Sequence, residues 1–295
     1  MSLRLRALNF VLRTVVKPHL AATSDPRIVR RNFAIASAIF RRPMGVRVKI
    51  DPGPPALHWI GDKPGGSSNV ILYLHGGAYV AGSARSYRGL GARLARLTGW
   101  QVVMPDYRLA PEHPAPAAFE DALAAHAALI KRGVAPECMV IGGDSAGGGL
   151  ALALLADLCA RGLRPAAVFV LSPWTDLTLS GASLRDNMAR DVLLPAGQMA
   201  EVVAQIRGMI AADDPRLSPL FAHFASPPPV LIQVGDSEVL HDDSVRMAAV
   251  LRAAGGAVDL DVWTDTPHVF HLFDGYLPEA RRALTMVAAF VRAAV

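Results

Sequence analysis

The chain has 295 residues, 52% of them hydrophobic and 19% charged, with a formal net charge of +5. This apolar content supports a large buried core and excludes a disordered chain. The basic residues are scattered apart from the pairs Arg30-Arg31, Arg41-Arg42 and Arg281-Arg282, with no basic stripe interleaved with aromatics, so no nucleic-acid partner is expected. Cys138 and Cys159 form no C-x-x-C pair and have no histidine at metal spacing. They read as reduced, buried thiols; a cytoplasmic location and no metal are expected.

Residues 1–22 mix basic and apolar side chains. Arg13 and Lys17 interrupt the apolar run, which a secretory leader would not allow. Leu3, Leu5, Leu8, Leu12, Val15 and Val16 instead follow the spacing of an amphipathic helix. Such a helix suits a membrane surface, but that is the weaker reading, and no uncharged stretch is long enough to span a bilayer. A second helix follows Thr23-Ser24-Asp25-Pro26, with Ser24 or Asp25 as N-cap and Pro26 in its first turn.

Eight short apolar, β-branched runs come next, at 46–50, 57–60, 70–74, 101–104, 139–141, 168–171, 230–234 and 260–263. Helices are predicted over 84–97, 119–131, 146–161, 243–254 and 279–294. Near-continuous apolar strands alternating with helices predict an α/β fold with a mostly parallel sheet covered on both faces. The first two strands have no helix between them and predict an antiparallel edge. A long stretch before Pro227-Pro228-Pro229 breaks the alternation and holds a helical run near 195–211. With the N-terminal helices it is expected to form a cap over the carboxyl ends of the strands, from about 1–42 and about 184–213, on a single domain of 1–295.

Gly143-Asp144-Ser145-Ala146-Gly147 is a G-x-S-x-G sequence directly after the run 139–141 and opening a predicted helix. A sharp strand-to-helix turn has no room for side chains two residues either side, and it lifts the Ser145 hydroxyl above the sheet. The helix N-terminus also favours negative charge developing on a substrate oxygen. A serine needs a base, expected on the loop after the last strand, where Thr266-Pro267-His268 lies. His268 is favoured over His271. The carboxylate that orients it is expected after the run 230–234, but Asp236, Glu238, Asp242 and Asp243 all lie there and position does not choose among them. Backbone donors for an oxyanion are expected at Ala146 and in His75-Gly76-Gly77-Ala78, after the third strand.

With these segments in view, the chain resembles the hormone-sensitive-lipase-like (bacterial family IV) esterases of the α/β-hydrolases. The matching segments are His75-Gly76-Gly77-Ala78-Tyr79, Asp106-Tyr107-Arg108-Leu109-Ala110-Pro111-Glu112-His113-Pro114, Gly143-Asp144-Ser145-Ala146-Gly147-Gly148, Ser172-Pro173-Trp174 and Pro267-His268-Val269-Phe270. The resemblance implies an α/β-hydrolase fold with a helical cap, a serine esterase acting on short to medium acyl esters, and no cofactor. It implies Ser145, Glu238 and His268 as the catalytic set, with Gly76, Gly77, Ala78 and Ala146 as oxyanion-hole residues. Two positions depart from the family pattern. Ala78 stands where a third glycine is usual, and serves if its φ is negative. The acid falls in register at Glu238 where the family has aspartate, with Asp236 as the alternative. Asp106, Arg108, Glu112 and His113 are expected to brace the loops, and Asp144 to hold the nucleophile turn. An amidase, peptidase or lactone hydrolase on the same fold, and a non-catalytic small-molecule receptor, remain the rival functions. Pairing of the strand 260–263 across a homodimer is a further expectation.

Overall fold

Helices precede any strand. In the computed structural model, which describes residues 1–23, 25–40, 43, 45–63, 65 and 69–295, α1 (Leu3–Val11) is N-capped by Ser2, whose hydroxyl accepts the Leu5 N–H at 3.2 Å. It runs through one wider turn at Leu12–Val16 into α2 (Lys17–Ala21). Asp25 caps α3 (Pro26–Ala36), its carboxylate accepting the Arg27 N–H at 2.8 Å. The alternative cap, Ser24, lies outside the described residues, as do Arg41 and Arg42.

The apolar runs become β1 (Arg47–Asp51), β2 (Leu57–Gly61) and β3 (Val70–Leu74), then β4 (Gln101–Pro105) after α4 (Arg88–Thr98). There follow α5 (Ala117–Lys131), β5 (Met139–Asp144), α6 (Ser145–Ala160) and β6 (Ala167–Leu171). The stretch beyond holds α7 (Ser183–Asp186) and α8 (Met199–Arg207), and the chain closes with β7 (Val230–Gly235), α9 (His241–Ala253), β8 (Val258–Trp263) and α10 (Pro278–Ala293). Several strands outlast their apolar runs because the ladder pairs backbone rather than side chains; β5 continues to Asp144, opposite Leu171. The helix expected from 84 begins only at Arg88, because 83–87 form a turn in which Asp106 Oδ1 accepts the Ala84 N–H at 2.8 Å. The run near 195–211 is helical over Met199–Arg207 and stops at Gly208, where φ is +57°.

The eight strands form one sheet in the order β1-β2-β4-β3-β5-β6-β7-β8. β1 and β2 are antiparallel, as is β2 to β4, and every pairing from β4 to β8 is parallel. Alternate side chains fill two cores. Leu72, Leu74, Ile141 and Val170 pack with α5, α6 and α9, while Ile71, Tyr73, Phe169 and Leu171 pack with α4 and α10. Burial on both faces is why these strands read as unbroken apolar runs. Because β3 to β8 run the same way, the loops after β3, β5, β6, β7 and β8 emerge at one edge of the sheet.

A third cluster joins Leu5 and Leu12 of the N-terminal segment to Val192, Phe270, Phe273 and Leu277. Ser2 adds polar ties, its N–H and hydroxyl donating to Glu279 at 2.7 and 3.0 Å. On α3, Arg30 donates to the carbonyls of Val80 and Ala110, both at 2.7 Å, and pairs with Glu112.

Candidate active site

β5 ends and α6 begins without an intervening loop, and Ser145 takes a φ of +52° at the junction. A side chain seldom adopts this region of backbone space, and its occupation by a non-glycine residue marks a strained turn. Gly147 allows it: a Cβ there would fall on the backbone oxygens of Leu74 and His75. The turn is thereby pressed against the glycine loop after β3. α6 is buried over nearly its whole circumference, so its first residue is rigidly placed.

His268 lies on the loop after β8, 5% exposed, with Val269 beside it at φ +48°. Its Nε2 is 2.9 Å from Ser145 Oγ and its Nδ1 is 2.7 Å from Glu238 Oε2. A carboxylate only accepts, so Nδ1 carries the proton and Nε2 is the acceptor facing the serine hydroxyl. The second oxygen, Glu238 Oε1, accepts from the Ser172 hydroxyl at 2.7 Å and from the Gly235 N–H at 2.6 Å. Ser172 Oγ in turn accepts the Val269 N–H at 3.2 Å, tying the acid loop to the histidine loop. Burial disfavours a charged imidazole, but the hydrogen bond and charge of Glu238 outweigh it, and the His268 pKa lies above its ordinary 6.5.

The other candidates face elsewhere. Asp236 accepts the Asp265 N–H at 2.8 Å and lies 3.5 Å from Arg190. Asp242 accepts the Ser183 N–H and Asp243 the N–H groups of Thr175 and Asp176. His271 Nε2 pairs with Gln233 Oε1 at 3.0 Å, and burial pushes its pKa down to about 3.

The loop after β3 corrects two expectations. Ala78 has a positive φ of +53°, following Gly77 at +120° and preceding Tyr79 at +57°. Alanine bears the strain of this left-handed stretch, so a negative φ is not the condition for its N–H to stay available as a donor. The Gly76 N–H does not face the open site; it donates to Asp144 Oδ1 at 3.0 Å. Among the described residues no internal acceptor takes the N–H of Gly77 or Ala78. Ala146, in the first turn of α6, also has an N–H without an intrahelical partner.

Buried Asp144 braces this region. It accepts from the hydroxyls of Tyr73 and Tyr87, each at 2.8 Å, as well as from Gly76. Burial pushes its pKa up to about 6, against the opposing pull of the two tyrosine bonds. His75 stacks on Tyr107 with ring centres 4.2 Å apart, and burial holds its pKa down to about 4, so the ring is neutral at pH 7. Asp106 takes the His58 ring at 2.8 Å, Arg108 pairs with Glu120 and Asp121, and His113 is exposed. Among the described residues no three His, Cys, Asp or Glu side chains are grouped to hold a metal ion.

Three further residues of the site carry no signal in the sequence. Ser172 stands in a recognised segment, but nothing in the pattern says that its hydroxyl meets Glu238. Asn187 and Asp191 lie in the irregular stretch after β6, yet Asn187 donates to the carbonyls of Asp236 and Glu238 and Asp191 accepts the Val239 N–H.

A family model for the α/β-hydrolase fold matches residues 71–272. An acetyl-hydrolase of Streptomyces hygroscopicus is 41% identical over 229 residues, covering 76% of each chain. Among solved structures, an esterase of the bacterial hormone-sensitive lipase family is 36% identical with a TM-score of 0.92, covering 99% of this chain and 98% of that one. The esterase EstE5, in a crystal soaked with p-nitrophenyl butyrate, is 35% identical with a TM-score of 0.93, covering 100% and 99%. The chain belongs to the α/β-hydrolase family. Within it the chain stands with the hormone-sensitive-lipase-like esterases and is a carboxylic ester hydrolase.

Proposed function

We propose that the protein hydrolyses short to medium acyl esters through an acyl-enzyme on Ser145, with His268 as proton carrier and Glu238 as its partner. The observation that carries this reading is the hydrogen-bonded line from Ser145 Oγ through the His268 ring to Glu238 Oε2, at 2.9 and 2.7 Å. As Oγ attacks the ester carbonyl, Nε2 takes its proton, and Glu238 stabilises the imidazolium. The N–H groups of Gly77, Ala78 and Ala146 receive the oxyanion, and Gly76 holds their loop through Asp144. His268 then returns the proton to the leaving alkoxide. A water deprotonated by the same ring attacks the acyl-enzyme and releases the acid.

The acetyl-hydrolase name of one relative and the butyrate soak of another favour a short acyl group. In this reading the chain is a single domain capped by residues of about 1–42 and 184–213. Arg30, bonded to the carbonyls of Val80 and Ala110, supports the cap from one side. Met199, Val203 and Ile206 of α8, buried in the same cluster as Tyr79 and Phe119, support it from the other. The unpaired edge of β8, with Val262 exposed, supports a homodimer, and two free thiols suit the cytoplasm. No helix among the described residues is long and apolar enough to cross a membrane.

Wild type and Ser145→Ala are to be assayed on p-nitrophenyl acetate, butyrate, octanoate and laurate. Wild type should prefer the shorter esters, and Ser145→Ala should lose roughly 10⁶-fold in kcat. Folded wild type inert on all four would contradict the proposal.

A further inference from the structure

Residues 187–191 carry no reacting group, yet they stand between the acid loop and the N-terminus. They form one helical turn, the N–H groups of Arg190 and Asp191 returning to the Asn187 carbonyl at 2.9 and 2.8 Å. The buried side chains of Asn187 and Asp191 face the acid loop, while those of Met188, Ala189 and Arg190 are exposed. Asn187 Nδ2 donates to the carbonyl oxygens of Asp236 and Glu238 at 3.0 and 2.9 Å. Asp191 Oδ2 accepts the Val239 N–H at 2.9 Å, and its Oδ1 accepts from Leu193 and Leu194. The carbonyls of the turn face the other way. Lys17 Nζ donates to those of Met188 and Asp191 at 2.8 and 2.7 Å, and Arg13 to those of Ala189 and Arg190 at 3.0 and 3.1 Å.

We propose that Asn187 and Asp191 are positioning residues for Glu238, and that the N-terminal helix holds them in place through Arg13 and Lys17. This rests on the reading of Glu238 as the partner of His268. A glutamate has one more rotatable bond than an aspartate, so its oxygen reaches His268 reproducibly only if its backbone is fixed on both sides. Two buried side chains supply that fixing with three hydrogen bonds to the backbone of 236–239, those to the Glu238 carbonyl and the Val239 N–H being fully buried from competing water. The exposed carbonyl end of the turn carries partial negative charge, which the two cationic side chains complement. Asp191 also adds its negative charge, with Glu238 and Asp144, to the field that favours a charged His268; His271 beside it is neutral.

The test is steady-state hydrolysis of p-nitrophenyl butyrate by Asn187→Ala, Asp191→Asn and the pair Arg13→Met/Lys17→Met, each with Glu238 intact and in a Glu238→Ala background. With Glu238 present, the two turn variants should lose about 10-fold or more in kcat with KM within about twofold of wild type. Asp191→Asn should also move the acid limb of the pH profile to lower pH. The Arg13/Lys17 pair should lose about threefold in kcat in the same sense. In the Glu238→Ala background all three should cost less than about twofold, because the residue they act through is gone. Equal losses in both backgrounds, or a change in KM alone, would overturn the inference. So would wild-type kinetics in Asn187→Ala when Glu238→Ala is inactive, leaving the acid assignment standing. Near-normal activity of Glu238→Ala alone would overturn both. Arg13 and Lys17 reach in from the surface, so their paired substitution decides the matter even if a turn variant does not fold.

Discussion

The two halves of the site are built by different means. At the ends of β3 and β5 the reacting groups are placed by their own backbone. Ser145 stands at a positive φ, and Gly147 lets α6 press against the oxygens of Leu74 and His75. At the ends of β7 and β8 they are placed by side chains from other elements. Ser172 donates to the Glu238 carboxylate, Asn187 and Asp191 bond to the backbone around it, and Glu238 Oε2 faces His268 Nδ1, the contacts on which the proposed positioning rests. The first half adds to the hydrogen bonds of Asp144 a steric exclusion at Gly147, which fails abruptly. The second rests on hydrogen bonds, each worth a limited amount, and should weaken in steps.

Substitutions that break the first half should therefore have the largest effect. Gly147→Ala drives a methyl into the carbonyl oxygens of Leu74, at the end of β3, and of His75, which the Tyr107 hydroxyl holds; backbone cannot move aside as a flexible side chain would. Overpacking of this kind costs about 1–3 kcal/mol or more. The variant should melt at a lower temperature and show almost no esterase activity; a wild-type melting curve and kcat would remove the steric argument. In the second half, Ser172→Ala deletes the donor to Glu238 and the acceptor of the Val269 N–H. A hydrogen bond to a charged group contributes about 1.5–3 kcal/mol, so kcat/KM should fall by about 10- to 100-fold with the fold intact. Asp236→Ala loses only the tie to Asp265 and a long contact to Arg190. Its kcat/KM should stay within about threefold of wild type while stability falls by about 1 kcal/mol, read from denaturant melts.

A subtler effect concerns the wild type. The proposed mechanism needs His268 neutral, and the Glu238 bond holds the proton on the ring to higher pH. As pH falls, kcat/KM should therefore decline through an apparent pKa above 6.5. A limb below that value would mean that burial, not Glu238, dominates the ring.

The same contrast decides what could be read before the structure. Ser145 sits in a local pattern whose glycines are explained by the turn itself, and His268 lies on the loop after the last strand, so the placement of both side chains was legible. The acid was not legible from position. Asp236, Glu238, Asp242 and Asp243 are equivalent in sequence, and only family register separated Glu238 from Asp236. The structure separates them by what lies opposite: Asp265 faces Asp236, Ser183 faces Asp242, and Thr175 faces Asp243. The positive φ of Ala78 was invisible, because a side chain does not announce a strained backbone. Asn187 and Asp191 lie in a stretch without periodicity, and their partners are some fifty positions away.

The proposed mechanism assigns the orientation of His268 to Glu238 and not to Asp236. The most direct measurement compares kcat/KM for p-nitrophenyl butyrate in wild type, Glu238→Gln and Asp236→Asn, with folding checked for each. Glu238→Gln should lose about 10³- to 10⁴-fold, from a misdirected and less basic imidazole, and Asp236→Asn less than about threefold. A large loss in Asp236→Asn beside a nearly active Glu238→Gln would contradict that assignment.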